Sequence, residues 1–534
     1  MKNSKLKNIL YAALLIYTAI SVAVVVVSLK NANWDPALTL KMTDNAYKNI
    51  PFNHYEHPAP ANLDKDETEF VTWWSPGQFA LPLLIEKCFN LKLIIALKIL
   101  TLLCLFVSGF GIYKLYRELI GDKTGRTESG TPAMVLALLL FTIIQPFFFL
   151  NLFVYDGGGI LMLAYCPWFI YWVIKSNPIN IPNLLLLLLL AFIGFFLKTA
   201  FTSIFAGALF YLFLINCLPP KTTFRNFNLK KIILGGIYLG LVFMIYVVAT
   251  KVLFLDHNTN ISNSSPGIRM QPRIIVFPVI APVLGLFVLG TFNKTLYWLI
   301  SFIFVVPLYY FMLKSPKINH TYKCALIGFT GICIAFYSML YFINVDVSYE
   351  LRHYVIITIL ITPAFFLTFW RRTMYRYILL SVMGLYAAFN LFGYAKTIIG
   401  SRKDKSAFGY YSGLALAYPA DLINKIHSLD SMNNKGRDIF YLTNSNPEVA
   451  LEIKHNRVLL EDNYLNFHFN NKGRFNKTLY YGQNSGEIYV IYPIAHFKTD
   501  SIKYLTRFEK YKKFETIYKT KGFVILKALY TPSL

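Results

Sequence analysis

Carboxylates and cations gather at the edges of apolar runs in this chain. Asp35 follows the first apolar run, in Asn33-Trp34-Asp35-Pro36, and Asp44 lies nine residues further on. Asp64, Asp66, Glu67 and Glu69 occupy the later part of the same polar stretch. Asp156 stands in Val154-Tyr155-Asp156-Gly157-Gly158-Gly159, just ahead of another apolar run. Lys198 ends a run of leucines and phenylalanines. Arg269 and Arg273 precede an apolar segment broken by Pro278 and Pro282, and Asp346, Glu350, Arg352, His353 and Tyr354 lie between two later runs. A carboxylate in such a place can activate an acceptor hydroxyl as general base. Arginine and lysine can hold a phosphate and stabilise the charge of a departing group. Together these groups suit transfer from a phosphate-linked donor at one membrane surface.

Each residue also has a plainer role. Asp35 fits a helix cap ahead of Pro36, and Asp44 fits the solvated face of that helix. Asp156 fits a turn beside Gly157. Lys198 fits an interfacial lysine whose stem runs along lipid. Trp73 and Trp74, which close the polar stretch, suit sugar stacking but also suit a membrane interface. His54, Glu56 and His57 cluster in sequence without a third ligand of fixed spacing, so no metal site is expected. No cofactor motif is present, and the role of a divalent metal is left open.

The chain has 534 residues, of which 56% are hydrophobic and 15% charged, the balance of a polytopic membrane protein. The formal net charge of +25 is assigned to Lys and Arg in cytoplasmic loops, which removes nucleic acid from the expected partners. The six cysteines include no CxxC pair and imply neither a disulfide framework nor a zinc knuckle.

The elements that must position these residues are mostly apolar helices. The first expected span is 9–29, with Lys2, Lys5 and Lys7 ahead of it, which places the N-terminus in the cytoplasm. The stretch 31–78 is then a long outer loop, rich in aromatic residues and too long to be a passive connection. A short surface helix is expected over 79–86. Further spans are expected over 93–113, 134–150, 160–174, 184–197, 201–217 and 232–250, then 296–313, 324–343, 354–370 and 377–391. If 274–290 crossed the membrane, the later basic loops would invert; treated as re-entrant, every basic cluster falls inside. The count is then eleven spans with an outer C-terminus. Residues 1–393 form the membrane domain. Residues 394–534 read as a small extracytoplasmic α/β domain, with strands over 438–443, 457–461, 487–492 and a hairpin within 514–526.

An acidic residue right after the first span, a long first outer loop, and an aromatic, proline-containing close to that loop resemble the GT-C glycosyltransferases. The protein mannosyltransferase and bacterial aminoarabinose transferase types are examples. The residues that carry the resemblance are Asp35 in Asn33-Trp34-Asp35-Pro36-Ala37-Leu38-Thr39 and the close Val71-Thr72-Trp73-Trp74-Ser75-Pro76-Gly77-Gln78. Asp156 matches the second acidic position of that family. Arg352 and Tyr354, with His353 between them, match its basic-tyrosine pair ahead of a late span. The close departs from the more usual His-Pro-Pro, which leaves the acceptor unspecified. The resemblance implies an integral membrane enzyme of a bacterial-type inner membrane. It would move a hexose or pentose, with inversion, from a polyprenyl-phosphate donor to a lipid, glycan or protein acceptor outside the cytoplasm. Asp35 would be the base, Asp156 a second acidic site residue, and Arg352 and Lys198 phosphate ligands. Two other readings fit a polytopic chain: a transporter of lipid-linked saccharides, and a polymerase or ligase of surface polysaccharide. The first should show paired halves, and the second a large loop late in the chain.

Overall fold

The computed structural model describes residues 2–32, 34–45, 48, 50–59, 62–71, 74–121, 131–217, 229–254, 270–286, 295–343, 347, 349–369, 373–403, 407–416, 418–432, 438–442, 447–460, 486–494 and 514–528. Helix α1 spans Lys2–Ser28. The first loop carries strand β1 (Asn31–Ala32), helices α2 (Trp34–Leu40) and α3 (Met42–Asn45), and a hairpin of β2 (His54–Ala59) with β3 (Asn62–Phe70). Then come α4 (Gly77–Phe89), α5 (Leu93–Ile120), α6 (Thr131–Ile143), α7 (Pro146–Phe149) and strand β4 (Val154–Tyr155). Helices α8 (Gly158–Ser176), α9 (Ile181–Leu197), α10 (Phe201–Cys217), α11 (Leu229–Phe254), α12 (Arg273–Leu284) and α13 (Thr295–Lys314) follow. The bundle closes with α14 (His320–Ala325), a π-helical turn over Leu326–Thr330, α15 (Gly331–Phe342), α16 (Val355–Phe369) and α17 (Thr373–Lys403).

Each stretch expected to be a span is mainly helical among its described residues. Seven helices are long and apolar enough to cross a membrane, among the described residues, or eight if α6 and α7 count as one broken span. Helices α9, α10 and α12 are apolar but shorter. The break was not anticipated: 134–150 reads as one apolar run, yet its two halves meet at 61°. Pro146 cannot donate a backbone hydrogen bond and its ring crowds the preceding turn. Two carbonyls left open by the bend are met by tyrosines, since Tyr17 donates to the Ile143 carbonyl and Tyr394 to that of Ile144. A bent helix in lipid needs such partners. Tyr394 belongs to α17, which was expected to end near Leu391 but continues to Lys403.

Helix α12 is twelve residues long, about 18 Å of rise and too short for the hydrocarbon core. Arg273 at its start lies 5.0 Å from the Tyr349 ring, and Trp298 at the start of α13 lies 5.8 Å from the same ring. The start of α12 and the first turn of α13 thus both lie beside Tyr349.

The C-terminal part contains β5 (Ala407–Phe408), β6 (Ala415–Leu416), α18 (Ala420–Met432), β7 (Ile439–Leu442), β8 (Arg457–Leu460), β9 (Ile488–Pro493), β10 (Phe514–Lys519) and β11 (Phe523–Ala528). The five larger strands form one sheet in the order β10-β11-β9-β7-β8, parallel across β9, β7 and β8 and antiparallel across β10, β11 and β9. The expected strands and hairpin are all present. This sheet shares a core with the first loop: Met42, Tyr55, Trp74 and Phe79 pack in one cluster with Leu422, Phe440, Val449 and Tyr489. Arg457 of β8 donates to the Leu63 carbonyl at 2.9 Å and to Asp66 at 3.0 Å. The first loop is thus a folded layer clamped between bundle and sheet.

Candidate functional site

Strand β1, straight after the first helix, pairs in parallel with β4, matching Asn31 to Val154 and Ala32 to Tyr155. This short pairing brings the chain around Asp35 beside the chain around Asp156. A methyl on Gly157 would stand 2.8 Å from Pro36 Cβ and 2.7 Å from Gln78 Oε1. The residue after Asp35 therefore touches the residue after Asp156. Asp35 is the second residue of α2; its side chain lies outside the described residues. Gly157 has φ of 54°, a conformation that glycine adopts without strain.

Helix α8 starts at Gly158, and Lys198 reaches it from the end of α9. A methyl on Gly158 would lie 2.8 Å from Lys198 Cδ. The Asp156 carboxylate lies over Gly159, where an added Cβ would be only 2.0 Å from Oδ2. The side chain of Asp156 can swing away at little cost to the fold, but its carboxylate cannot stay. Gly159→Ala should therefore leave the thermal midpoint within a few degrees and lower activity about 10–100-fold. A variant with wild-type turnover would show that the carboxylate's position does not matter.

Arg352 comes from the turn Leu351–Tyr354 ahead of α16. Its Nη1 is 3.4 Å from Asp156 Oδ1, and its Nε is paired with Glu350. A cavity of about 550 Å³ opens here. Asp156, Lys198, Glu350, Arg352 and His353 line its polar part, and Phe147, Leu150, Met162, Leu163, Ile204 and Ile356 belong to its apolar part. The same lining offers two cations and two carboxylates beside hydrocarbon side chains. That lining suits an amphipathic ligand with a charged head and an apolar tail.

Four candidates from the sequence meet in this cavity: Asp156, Lys198, Arg352 and His353. Tyr354 is fully buried, its ring 4.8 Å from Tyr337 and 5.8 Å from Phe277, where it anchors the turn carrying Arg352. Arg273 lies over Tyr349 rather than in the cavity lining. Trp74 is committed to the core between the first loop and the sheet. Arg269 and Trp73 lie outside the described residues. His54 and His57 sit three apart on β2, which directs them to opposite faces. Among the described residues no group of three His, Cys, Asp or Glu is placed to hold a metal.

Asp44 stands elsewhere, buried between Lys41 and Lys454. Lys41 Nζ is 2.7 Å from Asp44 Oδ2 and also donates to the carbonyls of Ala450 and Ile453 at 2.7 and 2.9 Å. Burial by itself would raise the Asp44 pKa, but the two lysines override it and hold the carboxyl below its usual range. Burial lowers the Lys41 pKa, and Asp44 offsets that only in part. The role of Asp44 here is to join α3 to the C-terminal sheet domain.

Sequence reasoning noted Glu350 among the charged groups without selecting it as a site residue, and passed over Tyr337. Tyr337 carries no charge and sits mid-helix in α15, so nothing local marks it. Glu350 had a signal: its place two residues before Arg352.

No protein-family model matches the sequence, and neither does any curated protein. Solved structures do match. ArnT from Cupriavidus metallidurans in the apo state superposes with a TM-score of 0.54 at 10% identity, covering 97% of each chain. The same protein bound to undecaprenyl phosphate gives 0.52 at 11% identity, covering 97% of this chain and 99% of that one. The archaeal oligosaccharyltransferase AglB from Archaeoglobus fulgidus, in complex with an inhibitory peptide and a dolichol-phosphate, gives 0.46 at 11%, covering 98% and 74%. The bundle, the first-loop layer and the terminal domain thus share their overall fold with ArnT.

Proposed function

We propose that the chain is a GT-C glycosyltransferase that moves a sugar from a polyprenyl-phosphate donor to a lipid, glycan or protein acceptor on the extracytoplasmic face. The observation that carries this reading is the cavity whose lining joins Arg352 and Lys198 to hydrocarbon side chains. The fold shared with ArnT, one structure of which holds undecaprenyl phosphate, supports it.

The acceptor hydroxyl attacks the anomeric carbon while the bond from that carbon to the phosphate oxygen breaks. The electron pair leaves with the polyprenyl phosphate, and Arg352 and Lys198 offset the charge that develops there. The acceptor proton passes to a carboxylate. Asp156 is already engaged with Arg352 at 3.4 Å, so Asp35 is the base in this scheme and Asp156 holds the arginine. Inversion at the anomeric carbon follows from a single displacement.

The test is retention of radiolabelled polyprenyl phosphate by purified protein in detergent. Lys198→Ala and Arg352→Ala should each weaken binding about tenfold, the loss of one charge-assisted contact. Equal retention by wild type and the double variant would remove the cavity from the donor site.

A further inference from the structure

The hairpin β5–β6 joins the bundle to the sheet domain through backbone contacts at the ends of two apolar helices. Ala415 N donates to the Lys30 carbonyl at 2.6 Å, just past α1, and Ile94 N at the start of α5 donates to the Ser412 carbonyl at 3.0 Å. Lys92 Nζ reaches the Tyr410 carbonyl at 3.1 Å. The hairpin is therefore held level with the ends of both helices. Two large rings project from it: Phe408 is 54% exposed and Tyr410 67% exposed. Each has a lysine over it, Lys30 at 5.7 Å from the Phe408 ring and Lys92 at 5.4 Å from the Tyr410 ring. Phe89, at the end of α4 and three residues before Lys92, is also 67% exposed. Directly below, α1 and α5 expose Val26, Val27, Ile95 and Leu103.

In water, three exposed rings in one band are unfavourable. At the level where lipid-facing helix surface ends, aromatic rings with adjacent lysines match the headgroup zone. Lysines there are attracted to anionic phospholipid. We propose that the β5–β6 hairpin is a lipid-interface anchor. On this reading Phe408, Tyr410 and Phe89 sit among the headgroups, with Lys30 and Lys92 facing phospholipid phosphates. The C-terminal domain is then held to the bilayer as well as to the bundle. This inference rests on the membrane fold alone and stands apart from the transfer reaction.

The experiment uses full-length protein in which Cys88 and Cys217 are replaced by serine. A nitroxide is attached at Phe408→Cys, at Tyr410→Cys, or at Met432→Cys, a site 72% exposed on α18. Each is reconstituted in phosphatidylcholine vesicles, with and without phosphatidylglycerol. The ratio of oxygen to aqueous-nickel collision rates should be several-fold higher at positions 408 and 410 than at 432. Adding phosphatidylglycerol should raise it further at 408 and 410, and Lys30→Gln with Lys92→Gln should abolish that increment. Labels at 408 and 410 as accessible to nickel as the one at 432 would overturn the anchor. An increment that survives both lysine substitutions would overturn the headgroup contact.

Discussion

Arg352→Ala should lower sugar transfer by about 10²–10³-fold, the usual cost of removing one preorganised donor from a site of developing charge. Arg352 is held on two sides, by Glu350 at Nε and by Asp156 at Nη1. The guanidinium is thus fixed before any donor arrives and needs little reorganisation. Arg352→Lys keeps the charge but loses the planar fork, so it should recover only part of the rate. Single-turnover transfer, measured with donor above its dissociation constant, separates this loss from weaker binding. A full rate in Arg352→Ala would mean that the departing phosphate is stabilised elsewhere.

The second large effect lies away from the cavity. Asp44→Ala leaves Lys41 and Lys454 facing each other in a buried joint, and breaking such a pair from one side costs about 3–5 kcal/mol. The loss should appear as release of the C-terminal sheet domain from the first loop. Limited proteolysis of the chain in detergent would read it as rapid cleavage between bundle and domain. Lys41→Met combined with Asp44→Leu should restore much of the protection, since apolar pairs replace buried ion pairs at little cost. The wild-type joint has a predictable acid limit. Because the folded Asp44 pKa lies below its unfolded value, its contribution is complete above the unfolded carboxylate pKa of about 3.9. It fades as pH falls from there through the lowered folded value. Protection that persists in Asp44→Ala would show that the shared apolar core alone holds the domain.

Much of this architecture is legible in the sequence. Apolar runs mark the long helices among the described residues. Asp156, Lys198, Arg352 and His353 were legible for the same reason: charged groups at the ends of spans on one face are forced into a common surface layer. What a linear reading missed came from long-range packing. A single Pro146 in an apolar run carries no sign that Tyr17 and Tyr394 will meet carbonyls left open at the bend. Asp44 looks like Asp35 in sequence, yet Lys454, which pairs with it, is more than four hundred residues away. Trp74 suits sugar stacking or a membrane interface in sequence, yet it packs in a core with a distant sheet. Helix α17 ran past its expected end because its polar last turns are helical without being apolar.

The central claim is tested most directly by transfer in membranes supplied with radiolabelled polyprenyl-phosphate sugars, comparing wild type with Asp35→Asn and Arg352→Ala at matched expression. The account predicts that label leaves the lipid for a new product with wild type, at no detectable rate with Asp35→Asn, and at a rate about 10²–10³-fold reduced with Arg352→Ala. Equal transfer by wild type and Asp35→Asn would contradict it.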